Sequence, residues 1–197
     1  MYLSFPNCRL RLHLLALPTL LLLFWVEGLL PAMLLLSSAL LHECGHFLAL
    51  RLTGVPVECV DIEPMGVSIR YRDVGCGWKR ASLISFAGAG MNLLCASVGT
   101  LCMAFLPGKA PLPLAFFCFC SLFLALLNLL PLEKLDGGIL LRTVLSARCM
   151  PDHADRICGI VSAVFTVLLS ALLLLAGLRS SFPLWTILLS AVFLSRL

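Results

Sequence analysis

The chain has 197 residues, of which 61% are apolar and only 12% charged, and its mean hydropathy is +1.07. A soluble domain is about 45–50% apolar and about 25% charged, so one core could not hide this much apolar surface, and a disordered chain is excluded as well. The formal net charge is +4, but the basic residues are dispersed without a basic-aromatic stripe, so no nucleic-acid partner is expected.

The ten cysteines are scattered, and Cys95, Cys102, Cys118 and Cys120 lie inside apolar runs. They read as small hydrophobes rather than a disulfide framework. The expected fold class is an all-α polytopic membrane protein. It should have about six transmembrane helices and a short β-hairpin-like segment, about 55–73, between spans two and three. Apolar stretches at 10–26, 29–50, 82–106, 112–131, 157–178 and 182–197 approach the ~20 residues that a helix needs to cross hydrocarbon. Arg9 and Arg11 precede the first stretch as in a signal peptide, but no small-residue cleavage site follows Trp25, so it is kept as a helix.

Orientation follows from Lys and Arg. With the N-terminus inside, 12 of the 14 basic residues are cytoplasmic, and only Lys109 and Arg179 are outside. Both termini are then cytoplasmic, and the expected location is the bacterial cytoplasmic membrane. The whole of 1–197 reads as one membrane-embedded domain, with a catalytic core at about 10–150, further spans at about 157–197 and no soluble regulatory domain. Between spans two and three, Val67, Ile69 and Tyr71 alternate with Ser68, Arg70 and Arg72. Pro64 and Gly66 mark the turn of a strand pair; an irregular loop is the other reading.

The second span ends in Leu41-His42-Glu43-Cys44-Gly45-His46, an H-E-x-x-H motif in an apolar helix. Positions i and i+4 share a helix face, so His42 and His46 can hold one metal ion from one side, and Glu43 is placed to act as a base. Ionisable groups at membrane depth cost about 2.5–3.5 kcal/mol each even on the mildest scale, which favours a functional reading. The plainer alternative is a pair of histidines hydrogen-bonded to neighbouring helices. Cys44 lies on another face and reads as packing.

A catalytic zinc site wants a third protein ligand. His13 and His153 read as interfacial or solvated. Asp136 is the better candidate: it follows the fourth span, Pro131 breaks the helix, and Gly137-Gly138 allow close backbone approach. An ordinary helix end with a surface carboxylate is the alternative. Histidines and carboxylates at midplane also suit a polytopic metal-ion transporter, which would show several polar helices and repeated halves.

His42-Glu43-x-x-His46, followed by Asn128-x-x-Pro131 and Leu135-Asp136-Gly137, resembles the site-2 protease family of intramembrane zinc metalloproteases. The six-span size, Arg11-Leu12-His13 and the Val60–Val67 segment resemble its stage IV sporulation protein FB branch. Phe86–Asn92 resembles the family's Gly-Pro-x-x-Asn stretch, with Ala89-Gly90 in place of Gly-Pro. The resemblance implies one zinc ion per chain on His42, His46 and Asp136, with Glu43 as general base and Asn128 as oxyanion or orienting group; Asn92 has a weaker case. It implies a membrane-tethered protein substrate in the bilayer, such as a sigma-factor precursor or an anti-sigma factor, and membrane regulatory proteins as partners. The nucleotide-sensing domain common in that branch is not seen after the spans, so ATP-linked control is not expected.

Overall fold

The computed structural model describes residues 2–5, 8–12, 16–63, 66–71, 77–105 and 111–179. They form four strands and six helices, in two compact units, residues 1–128 and 129–197.

In the first unit, strands β1 (Tyr2–Phe5) and β2 (Cys8–Leu12) precede helix α1 (Ala16–Glu27) and helix α2 (Leu29–Thr53). Gly28, at φ 81°, separates the two helices, a backbone conformation that glycine adopts without steric cost. Pro31 is tolerated because it lies in the first turn of α2, where its missing N–H has no intrahelical partner to lose. The helix closes on Gly54, at φ 70°. Gly54 N–H donates to Arg51 O at 3.3 Å and Val55 N–H to Leu50 O at 3.0 Å, the bond pair of a Schellman closure.

Strands β3 (Val57–Glu63) and β4 (Gly66–Tyr71) follow. They pair antiparallel, with Glu63 opposite Gly66 and Ile62 opposite Val67, so the hairpin expected from the alternating residues is present. The sheet is larger than expected. Its order is β1-β2-β3-β4, and β2 pairs parallel to β3, with Arg9 opposite Cys59 and Leu12 opposite Ile62. A parallel pair needs a crossover, and α1 and α2 lie between the two strands in the chain. The first apolar stretch therefore does not begin at residue 10: residues 8–12 are strand, and α1 is 12 residues long.

Helix α3 (Trp78–Phe105) and helix α4 (Leu112–Asn128) complete the unit. Small and polar side chains fill the interior of α2, α3 and α4: Ala32, Ser38, Ala89, Asn92, Ser121 and Ala125 are fully buried, whereas Leu40, Leu94, Phe119 and Leu122 face outward. This reverses the pattern of a soluble bundle and suits helices in lipid, where packing favours small residues. A Cβ on Gly45 would strike the Ala87 carbonyl and lie 2.9 Å from Met91 Cβ, so α2 and α3 meet backbone to backbone. Ser38 and Ser121 share a hydrogen bond at 3.1 Å between α2 and α4, a contact worth about 0.6–2 kcal/mol in a membrane bundle. Val57, Ile69 and Tyr71 pack the sheet against Ala49, Leu50 and Ile84.

In the second unit, helix α5 (Asp136–Ser146) and helix α6 (Pro151–Arg179) pack on one another. The polar segment 132–156 contains α5 and the start of α6. Helix α6 begins at Pro151 rather than residue 157, because a polar first turn extends the apolar stretch. Arg142 Nε donates to Asp155 Oδ1 at 2.8 Å across the two helices.

Among the described residues, three helices are long and apolar enough to cross a membrane: Leu29–Thr53, Trp78–Phe105 and Pro151–Leu175. Helices α1 and α4 are apolar but shorter; α4 stops at Asn128 rather than residue 131. The sixth expected span, 182–197, lies outside the described residues, as does His13.

Candidate metal centre

The centre is built on the last turns of α2. His42 and His46 share a helix face, and their rings meet edge-on at 79° with centroids 4.8 Å apart. His42 is buried, at 5% exposure. The two Nε2 atoms face each other at 3.2 Å. Two nitrogens each about 2.0–2.1 Å from one tetrahedral ion would stand about 3.3 Å apart. The pair is therefore spaced to share a zinc-sized ion.

Helix α3 fixes this arrangement from the other side. His46 Nδ1 is 2.8 Å from the Ile84 carbonyl oxygen. A carbonyl only accepts, so Nδ1 carries the proton and Nε2 presents its lone pair to His42. An outer partner of this kind orients a metal-binding imidazole. Sequence reading missed it, since the group is main-chain and leaves no residue-type signature.

Gly88 was missed too, although it lies in the Phe86–Asn92 stretch. A Cβ there would strike His46 Nε2 and lie 2.7 Å from His42 Nε2. The missing side chain is the space that the two nitrogens face. The readable signal is Gly88 four residues after Ile84 and four before Asn92, on one face of α3. Gly88→Ala should displace both imidazoles. The expected result is a folded protein whose metal content drops severalfold or more, read by elemental analysis beside circular dichroism. Metal content equal to wild type would show that the space is not needed.

The remaining candidates are placed as follows. Glu43 is half-buried on α2, beside His42, while Cys44 faces outward, as expected for a different helix face. Asn128 ends α4, and its Nδ2 donates to Leu124 O at 3.1 Å within the same helix. One of its two amide protons is thus engaged locally. Asn92 is fully buried in α3.

In the second unit, Asp136 opens α5, where a carboxylate suits the positive end of the helix dipole. The turn before it is tight: Leu132 N–H donates to Leu130 O at 2.8 Å and Leu135 N–H to Leu132 O at 2.9 Å. A Cβ on Gly137 would strike Leu129 O, and one on Gly138 would strike Leu132 O. The two glycines thus fix the backbone that carries Asp136. His153 is exposed in the first turn of α6, as expected of a solvated residue.

Comparison with known proteins adds four findings. Residues 108–171 match the profile of Peptidase family M50. Rip3 of Mycobacterium tuberculosis, whose name describes a zinc metalloprotease, is 33% identical over 158 residues, 78% of this chain and 39% of Rip3. The Synechocystis protein sll0528, with a name of the same kind, is 31% identical over 125 residues, 61% of this chain and 32% of that protein. The chain thus spans about two fifths of the one relative and one third of the other. Its fold matches that of the Site-2 Protease from Methanocaldococcus jannaschii with a TM-score of 0.67 at 23% identity, over 98% of this chain and 90% of that one.

Proposed function

We propose that the chain is a member of peptidase family M50, whose profile its residues 108–171 match, and that it acts as an intramembrane zinc metalloprotease that hydrolyses a peptide bond of a membrane-tethered protein. The observation that carries this reading is the facing pair of Nε2 atoms on His42 and His46, set by α2 and locked by Ile84 of α3. In this proposal Asp136 completes the ligand set. Each of the three residues offers one ligand atom of a kind that zinc takes, an imidazole nitrogen or a carboxylate oxygen.

Zinc, when bound, supplies Lewis-acid polarisation of a peptide carbonyl and acidifies a water molecule. The chain's own residues do the rest. Glu43 takes the proton of the attacking water and passes it to the leaving amine. Asn128 offers its second amide proton to the developing oxyanion; its first is held by Leu124. The wall of α3 around Gly88 and Asn92 keeps bulk water from the inner side of the histidines, which strengthens every charge interaction there.

The substrate proposed is a membrane-tethered precursor, with a sigma-factor precursor or an anti-sigma factor as the instances that the sequence resemblance suggests. The chain would present its site near the cytoplasmic face, with both termini cytoplasmic. A helical substrate hides its backbone in its own hydrogen bonds, so it must be drawn out before cleavage. Strand β4 is at one end of the sheet order, and an edge strand can hold an extended peptide by strand addition. Val67→Pro, which removes one N–H from β4, is expected to lower cleavage severalfold with zinc content unchanged. Ile69→Pro is the poorer test, since Ile69 packs on the core beneath the sheet. Equal cleavage in Val67→Pro would remove strand addition at β4.

The function itself is tested in sealed proteoliposomes carrying a labelled single-span peptide substrate. Cleavage of the peptide, without zinc accumulating in the vesicles, is the expected result. Zinc uptake without cleavage would instead establish the transporter reading.

A further inference from the structure

We propose that Asn92 is a positioning residue of the metal centre, its side-chain carbonyl Oδ1 accepting the Nδ1–H of His42 when the ion is bound. The inference rests on the zinc reading above and goes beyond its ligand set.

Asn92 has no exposed surface. Among the described residues neither Oδ1 nor Nδ2 has a hydrogen-bond partner. A buried amide without partners is costly and uncommon in a settled interior, and more so in a bundle surrounded by hydrocarbon. Such a group points to a partner or a state that completes it.

Its place in the fold indicates which. Ile84, Gly88 and Asn92 follow one another at four-residue steps along one face of α3. Ile84 meets His46 through a hydrogen bond, and Gly88 abuts the Nε2 atoms of both histidines. Each step forward on α3 is thus a step back on α2, so the two helices run antiparallel. The next step places Asn92 between the levels of His42 and Ser38. Nδ1 of His42 lies in the protein interior, on the far side of its ring from Nε2.

The chemistry is complementary. His46 already donates Nδ1–H to a carbonyl oxygen of α3, and a zinc-bound histidine is held by such an outer acceptor as a rule. Asn92 Oδ1 is a carbonyl oxygen on the same face, one turn beyond Gly88.

The test uses the full chain in detergent. Zinc affinity is measured by competition against chelators of graded strength, and geometry by the visible spectrum of the cobalt-substituted protein. Asn92→Leu removes the acceptor at similar volume and is expected to weaken zinc binding about 10–100-fold and change the cobalt spectrum. Asn92→Asp keeps an acceptor and should hold zinc at least as tightly as wild type. Ser121→Ala removes the neighbouring bundle hydrogen bond and should leave affinity within about twofold, which separates positioning from helix packing.

Wild-type affinity in Asn92→Leu would overturn the proposal while leaving the zinc site standing. If Asn92→Leu does not fold, Asn92→Asp decides: weaker zinc binding than wild type would overturn it. Wild-type protein that binds no zinc would overturn the parent reading, and this inference with it.

Discussion

Glu43→Gln is expected to leave zinc in the protein and cut peptide cleavage by about 10²–10⁴-fold, the usual contribution of a positioned general base. Glutamine matches the size of glutamate and can still form hydrogen bonds, but it cannot take a proton near neutral pH. The neighbouring His42 stays held by α2, so the ligand pair should keep its 3.2 Å spacing. Elemental analysis and single-turnover cleavage of a labelled peptide, on the same preparation, give both readouts. Unchanged cleavage would mean that another group moves the proton. Loss of zinc would mean that Glu43 is a ligand, or that its charge is needed to retain the ion. Retained zinc with lost cleavage would also make the variant a trap for identifying bound substrates.

Much of this site can be read from the sequence because its geometry is local. Four residues on a helix bring two side chains to one face wherever the helix lies, so the spacing of His42 and His46 already implied facing imidazoles. The strand pair was legible for the same reason: alternation in Val67–Tyr71 and a turn after Glu63 are short-range signals. Strands β1 and β2 were not legible. Residues 8–12 merge into an apolar run, and their partner, β3, lies some fifty residues away, across two helices. Non-local pairing of this kind leaves no periodic signature in either segment.

The same distinction applies at the metal centre. Ile84 acts through its main-chain carbonyl, which no residue type announces, and Gly88 through an absent side chain whose one signal is its four-residue step from Ile84 and Asn92. Composition announced a membrane protein, yet it did not reveal how α2, α3 and α4 pack. Gly45 against Ala87 and the Ser38–Ser121 bond place small and polar groups inside the bundle while leucine and phenylalanine face out. Both leucine and alanine count as apolar in a hydropathy sum, so the sum cannot tell the lipid face from the packed face. The limits of α4 and α6 were misplaced for a related reason: apolarity stops where lipid stops, but a helix stops where its hydrogen bonds do.

With Asp136 as the proposed third ligand, Asp136→Ala should lower zinc affinity by more than the about 10–100-fold that loss of an outer-sphere partner costs, because a direct bond and a negative charge would go. Two histidines alone leave a divalent ion with neutral ligands and two open positions, which is a poor zinc site. A carboxylate at the start of α5 is pre-placed by the tight turn before it, since Gly137 and Gly138 admit the carbonyls of Leu129 and Leu132 where a side chain could not fit. Little ordering entropy is then left to lose on binding. His46→Ala should behave in the same way, and the two losses should not add, since either one dismantles the same site. Glu133→Gln removes an exposed carboxylate three residues earlier and should retain about one zinc per chain, which separates a ligand from general acidity. Zinc held as tightly in Asp136→Ala as in wild type would exclude Asp136 as the third ligand. The search would then move to Cys44 and His153, each tested by its own alanine variant against the same chelator series.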